Sequence, residues 1–180
     1  MRVEIQDDFN LRKIVESGQC FRASLIDDDI YRFVTGNNVV YMKETEKGIF
    51  SVSCGFNEWQ NTWVKYFDLN RNYRNIFEKE YGKHPFVDKA MNAGRGLRIL
   101  WQDPWEILVS TIISQRKSIP AIQKAVDLIA EKYGTVQKTE YEKLNLFPSA
   151  TDLINVSEDD MRSCGVGYRA AYILDSISKD

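Results

Sequence analysis

Histidine and cysteine are scarce in this chain, with one histidine and three cysteines among 180 residues. The single histidine, His84, leaves no basis for a Ser/His/Asp triad or a His-rich metal site, and Pro85 beside it suggests a turn. Cys20, Cys54 and Cys164 are odd in number, far apart and without CxxC spacing. They indicate neither a disulfide framework nor a zinc site and read as buried thiols. No stretch of eighteen apolar residues exists, and the start MRVEIQDDF carries acids where a signal peptide needs a basic then an apolar run. The expectation is a soluble, unexported protein with no membrane partner. Internal repeats and low-complexity segments are absent as well.

Apolar residues make up 43% of the chain, ample for a packed core in one large or two small domains. A net charge of −2 argues against a nucleic-acid partner on average, since phosphate binding draws on clustered Lys and Arg. Distribution matters more than the sum. Acids concentrate at Asp27, Asp28, Asp29 and at Glu158, Asp159, Asp160, whereas Arg95, Arg98, Arg116 and Lys117 lie in or near the centre of the chain. One face is open to being basic.

The clearest local signal is RILWQDPWEILVSTIISQRKSI, residues 98–119. Asp103 suits a helix cap, Pro104 the first helical position and Glu106 a capping box. Ile107, Leu108, Val109, Ile112 and Ile113 point apolar side chains most of the way round, which predicts a helix buried on nearly all sides. It breaks into a polar, basic corner at Ser114, Gln115, Arg116, Lys117 and Ser118. Upstream, Asn10 caps a short helix that ends at Gly18. Four strands are then predicted, QCFRASLI, IYRFVT, VVYMKET and IFSVSC, joined by short turns. Trp59, Trp63 and Phe67 recur on one helical stripe as core residues, and two short helices run towards Gly82 and Gly94. Downstream, Ile122, Ala125, Val126 and Ile129 form an amphipathic stripe ended by Gly134, and Ser149 and Ser157 cap two short helices. A glycine-rich corner, Gly165 to Arg169, leads into the last helix.

Three corners stand out together: SGQCFR at 17–22, SQRKSI at 114–119 and GVGYRA at 165–170. With FNLRKIVESGQCFR, KYFDLN, GLRILWQDPWEILVSTIIS and LINVSEDDMRSCGVGYRAAYI, they resemble the 8-oxoguanine DNA glycosylases of the helix-hairpin-helix superfamily over nearly the whole chain. The resemblance implies an α+β fold. Residues 1–90 form an N-terminal antiparallel sheet with helices, like half of a TATA-binding protein, and residues 91–180 form the N-terminal part of an all-α domain. It also implies base-excision repair as a monomer on double-stranded DNA containing oxidised guanine. The damaged base is flipped into a pocket, a lysine assisted by an aspartate attacks the sugar, and the resulting imine can break the strand. No metal or cofactor is needed, and a cytoplasmic, bacterial, nucleoid-associated location is expected.

Residue by residue, the resemblance gives Gly18 the lesion-reading backbone carbonyl, since 8-oxoguanine offers an N–H at N7 where guanine offers an acceptor. Tyr168 matches a wedge in the duplex, and Arg169 matches a contact to the cytosine left unpaired. Ser114, Gln115, Arg116 and Lys117 match the loop that fills the gap, where family members often carry consecutive asparagines. Ala121 replaces a second cytosine-reading arginine, and Ala23 replaces a frequent tryptophan. GVGYRA looks like the hairpin whose lysine is the nucleophile, but Arg169 cannot lose its proton to act as an amine. No catalytic residue is therefore assigned in this chain. The lysine and aspartate are expected beyond Asp180, and the chain alone is expected to be inactive. Two other readings stay open: a glycosylase for alkylated bases, and a nonenzymatic DNA-binding or interaction module.

Overall fold

A computed structural model describes residues 1–177. These fall into two compact units, Met1–Val34 with Asn38–Trp101, and Thr35–Asn37 with Gln102 onward. Residues 91–101, read from the sequence with the helical half, sit in the first unit. They are held there because Arg98 pairs with Asp7 at 3.1 Å and the Trp101 N–H donates to the Tyr66 carbonyl at 2.8 Å.

The first unit is built on a five-stranded antiparallel sheet in the order β1-β5-β4-β3-β2: β1 (Arg2–Glu4), β2 (Ser24–Asp27), β3 (Ile30–Thr35), β4 (Asn38–Glu46) and β5 (Ile49–Val52). Short links make hairpin neighbours of successive strands from β2 to β5. β1 closes the edge by pairing Val3 with Phe50. That strand has three residues, too few to show a period, and the sequence reading missed it. The predicted strand at residues 19–26 is shortened to Ser24–Asp27, because residues 19–23 are tied into a loop instead. Alternation in β3 buries Tyr31 and Phe33, and Val34 is also buried.

Helix α1 (Leu11–Glu16) is capped by Asn10, whose side chain accepts the Lys13 N–H at 2.9 Å. A further helix, α2 (residues 56–66), contains a π-turn at Trp59–Trp63 and covers the sheet. Trp59, Trp63 and Phe67 are all buried. Phe67 meets Phe33 and Tyr66 edge-to-face at 4.9 Å and Phe9 at 5.3 Å, Trp63 meets Tyr66 edge-on at 5.3 Å, and Phe9 in turn meets Phe50. Such pairs add about 0.5–1.5 kcal/mol each beyond the area they bury. Helices α3 (Tyr73–Glu80) and α4 (Pro85–Gly94) follow and contain no buried residue.

The second unit holds α5 (Pro104–Ser114), α6 (Ile119–Tyr133), a two-stranded ribbon β6–β7 (Val136–Lys138, Lys143–Asn145), α7 (Ala150–Leu153), α8 (Glu158–Met161) and α9 (Arg169–Ile177). The ribbon was not foreseen in the helical half. Ile122, Ala125, Val126 and Ile129 of α6 are buried, as their spacing predicts. The Ser149 cap forms a full capping box with Asp152, and Ser157 caps α8 by accepting from Asp160 N. Helix α5 departs from its reading as a helix buried nearly all round. Val109, Ser110 and Ile113 are buried, but Ile107 and Leu108 are 38% and 42% exposed, because its described neighbours α6 and α9 cover only part of it.

Candidate nucleic-acid interface

The first predicted corner begins where α1 stops. Gly18 adopts φ +75°, a left-handed conformation that costs an L side chain roughly 1–2 kcal/mol and costs glycine nothing. It is exposed. The next side chain fixes the turn. The Gln19 amide donates through Nε2 to the Arg98 carbonyl at 2.9 Å and accepts the Leu100 N–H at 3.2 Å through Oε1. One amide thus satisfies two backbone groups of the segment 98–100 and ties the loop after Gly18 to it. The sequence reading quoted SGQ but gave Gln19 no role. Cys20 adds to this anchoring, its sulfur accepting from Arg22 N at 3.3 Å and from Tyr66 Oη at 3.5 Å.

The second and third corners are close together in the second unit. At the end of α5, Ser114 Oγ turns back to donate to the Thr111 carbonyl at 2.7 Å, and the Lys117 N–H donates to the Ser114 carbonyl at 3.1 Å. Between them, Gln115 and Arg116 are exposed, and Arg116 sits at φ +52°. In the glycine-rich turn before α9, Gly165 and Gly167 have φ of +77° and +61°, which is why the sequence needs glycine twice there. Cations join these turns. The Lys117 ammonium donates to the Gly165 carbonyl, and the Arg169 guanidinium donates through Nη2 to the Gln115 carbonyl and through Nη1 to the Val166 carbonyl at 3.2 Å.

This arrangement sorts the predicted residues. Tyr168 is 51% exposed and lies over the Arg169 guanidinium at 4.6 Å, with Tyr172 edge-on at 6.2 Å. Arg169 itself is buried, at 8% exposed, below that ring. Lys117 is half-buried, and burial first, then the Arg169 charge, holds its amine below the usual lysine range. Arg116 forms no hydrogen bond or ion pair with the described residues and points its charge to solvent. The other two arginines of the expected basic face do not serve it. Arg98 is fully buried against Asp7 and the Tyr73 ring, and Arg95 is paired with Asp8 at 2.7 Å. The three cysteines are buried thiols in no disulfide, as the sequence reads them.

An open cleft of about 660 Å³ lies elsewhere in the second unit, at the N-terminal end of α5, where Asp103, Trp105, Glu106, Pro148 and Asp152 line it. None of the predicted site residues does. Asp103 caps α5 there by accepting the Glu106 N–H at 2.9 Å. Trp105 Nε1 ties α5 to the Pro148 carbonyl at 3.0 Å. Among the described residues, no helix is long and apolar enough to cross a membrane.

A sheet-plus-helices unit followed by a helical unit with a basic turn and a double-glycine turn defines the class, an α+β protein of the DNA glycosylase type. Residues 2–108 match the family described as the 8-oxoguanine DNA glycosylase N-terminal domain, and the chain belongs to the 8-oxoguanine DNA glycosylase family. Its fold superposes on MBOgg1, solved in complex with a low-affinity DNA ligand, with a TM-score of 0.93 and 35% identity, over 99% of this chain and 61% of that one. The 8-oxoguanine glycosylase/lyase of Clostridium acetobutylicum was solved with double-stranded DNA containing cytosine opposite 8-oxoG. It gives a TM-score of 0.89 and 32% identity, over 99% of this chain and 64% of that one. An N-glycosylase/DNA lyase of Saccharomyces cerevisiae is 27% identical over 187 residues, covering 94% of this chain and 49% of the yeast protein. The chain therefore spans about half the length of the curated relatives it matches.

Proposed function

We propose that this chain supplies lesion recognition and duplex contacts for an 8-oxoguanine DNA N-glycosylase, with glycosidic cleavage and strand incision belonging to the whole protein. The observation that carries this reading is the tip of the second unit. There Arg116 and Tyr168, a solvent-facing guanidinium and an exposed ring, stand on two turns held together by Lys117 and Arg169. A ring can replace stacking lost when a base leaves the duplex, and a guanidinium can meet a phosphate or a base edge. Gln115 and Ser114 belong to the same turn and approach the duplex with it. Gly18 acts through its carbonyl, which accepts from the N7–H of 8-oxoguanine and meets only lone pairs on guanine. A mismatch of that kind costs roughly 1–3 kcal/mol, or about 5- to 150-fold in affinity. Base excision on chromosomal DNA places the protein with that DNA, at the cytoplasmic nucleoid for a bacterial source.

The test is fluorescence anisotropy with duplexes that differ only in 8-oxoG·C, G·C or 3-methyladenine·T at one position. The expected result is tighter binding to 8-oxoG·C by at least about fivefold, reduced at least about fivefold by Tyr168→Ala through lost stacking. Equal binding to all three duplexes, unchanged by Tyr168→Ala, sinks the proposal in favour of a nonspecific DNA-binding module. Preference for the methylated base moves it to alkylation repair.

A further inference from the structure

We infer that Lys117 is a positioning residue. Its ammonium, on the Gly165 carbonyl, stitches the basic turn to the glycine turn, so that Arg116 and Tyr168 are presented to DNA as one preformed tip. This rests on the proposal that the tip meets DNA, and concerns how the tip is held. The family resemblance places Lys117 in the gap-filling loop, and the structure gives its ammonium a partner within the chain. Its ammonium reaches across 48 positions of sequence to a backbone oxygen. The parallel bond from Arg169 to the Gln115 carbonyl spans 54 positions in the opposite sense. Each turn thus gives one cation and one carbonyl to the other. The pair is reciprocal, so neither turn can shift without breaking a charge-assisted bond.

Arg116 provides an independent observation. It occupies φ +52°, which L residues other than Asn and Asp seldom adopt. A strained backbone of this kind persists only where its surroundings over-determine it. The residues on either side of Arg116 are the ones stitched: the carbonyl of Gln115 is taken by Arg169 and the amine of Lys117 by Gly165. The strain turns the Arg116 side chain out to solvent, and the two stitches hold it there. Holding has a chemical cost as well, since two mutually repelling cations are brought together on carbonyl partners. Burial first, and the neighbouring Arg169 charge after it, hold the Lys117 amine below the usual lysine range. A cation placed to bind phosphate gains nothing from being docked on its own protein, whereas a cation that orders a turn does.

The experiment uses the whole 180-residue chain and has two arms. In the first, without DNA, amide hydrogen exchange is followed at residues 117 and 170, whose N–H groups donate to the Ser114 and Gly167 carbonyls at 3.1 and 3.2 Å. Lys117→Met is expected to speed both at least about tenfold and to leave amides in the middle of α6 unchanged. Lys117→Arg, which keeps a charged donor of similar reach, is expected to restore protection. In the second arm, affinity for an undamaged duplex is measured against salt. Lys117→Met is expected to weaken binding about fivefold, as a tip correctly formed only a fifth of the time would. The slope of log affinity against log salt should stay unchanged. Unchanged exchange at 117 and 170, or a slope shallower by about 0.9, the signature of one lost phosphate contact, overturns the inference. If the wild-type chain binds no duplex at all, the DNA reading fails and the first arm still decides whether Lys117 is the stitch.

Discussion

Replacing Asp7 by asparagine keeps the shape of the side chain and removes the charge that faces Arg98. The guanidinium of Arg98 is fully buried. Its Nη1 is ion-paired with Asp7 Oδ2 at 3.1 Å and donates to the Arg71 carbonyl at 3.2 Å, and the guanidinium lies over the Tyr73 ring at 4.3 Å. Nε and Nη2 have no hydrogen-bond partner among the described residues, so the carboxylate and the ring face carry most of the compensation for burying the charge. Asp7 has a second task, accepting the N–H groups of Tyr73 at 2.6 Å and Arg74 at 2.9 Å at the start of α3. Both carboxylate oxygens are therefore used by donors. An asparagine must turn its NH2 towards one set of them, leaving a donor against a donor and a buried cation without a counter-charge. Breaking a buried pair from one side costs about 3–5 kcal/mol. Arg98→Met should cost less, roughly 1–3 kcal/mol, because Asp7 keeps its backbone donors and some solvent while the apolar stem of the arginine is replaced.

Urea denaturation of the wild type, both single variants and the double variant closes the cycle. The double variant should be more stable than the two single losses predict, by about 1–3 kcal/mol, since each removes the reason the other hurts. Acid titration gives a second check. Burial works to raise the Asp7 pKa, but the N–H groups of Tyr73, Arg74 and Asp8 and the Arg98 charge outweigh it and hold it below 3.8. A carboxylate with a depressed folded pKa contributes stability that is present above its unfolded pKa and lost as pH falls through the folded one. The gap between wild type and Asp7→Asn should accordingly narrow below about pH 4. A loss under about 1 kcal/mol for Asp7→Asn at unchanged denaturant slope refutes the reasoning. So does a loss of DNA affinity in Arg98→Met without loss of stability, because it would return Arg98 to the binding face.

Gly134 ends α6 where a methyl group cannot fit: a Cβ there would meet the Leu146 carbonyl oxygen at 1.8 Å and the Ala130 oxygen at 2.6 Å. Both are backbone atoms, so Gly134→Ala should destabilise by more than about 3 kcal/mol in urea, and a variant within about 1 kcal/mol of wild type would disprove this close approach. Burial, helped by Glu58, pushes the Cys54 thiol from 9.0 up to about 11. The unfolded chain loses that proton first as pH rises, so stability is intact below pH 9 and falls between about 9 and 11, by roughly 2–3 kcal/mol. Cys54→Ala should flatten that part of the stability profile, and an identical alkaline profile for the variant would assign the loss to other groups.

What could be read from the sequence was local. Asn10, Asp103, Ser149 and Ser157 cap helices because a cap depends on the three residues that follow it. Trp59, Trp63 and Phe67 point inward because helical spacing requires them to share a face. What could not be read depends on distant partners. β1 is defined by its register with β5 some fifty residues away, and the ribbon β6–β7 has three-residue strands that show no period. Exposure of Ile107 and Leu108 follows from how far neighbouring helices reach, which an apolar pattern does not encode. Gln19 stood inside a recognised motif, but its task is to satisfy backbone groups about eighty positions later.

Charge was the hardest property to read, and here the structure changes the argument most. A net charge of −2 with central arginines suggested a basic face hidden by the average. In the fold, Arg98 and Arg95 are neutralised by Asp7 and Asp8, and Lys117 and Arg169 are occupied by carbonyls. Within residues 114–118 and 165–169, Arg116 is the cation left facing solvent. A tip with one free charge gains little from counterion release, about one unit of salt slope. If the tip meets DNA as proposed, its affinity comes from contacts that need fit, a ring entering a gap and carbonyls and amides meeting base edges. Fit of that kind exists only if the turns are already in place when DNA arrives. On the proposed reading, the two turns use two of their three cations internally so that a preformed tip discriminates, where three exposed cations would bind every duplex alike.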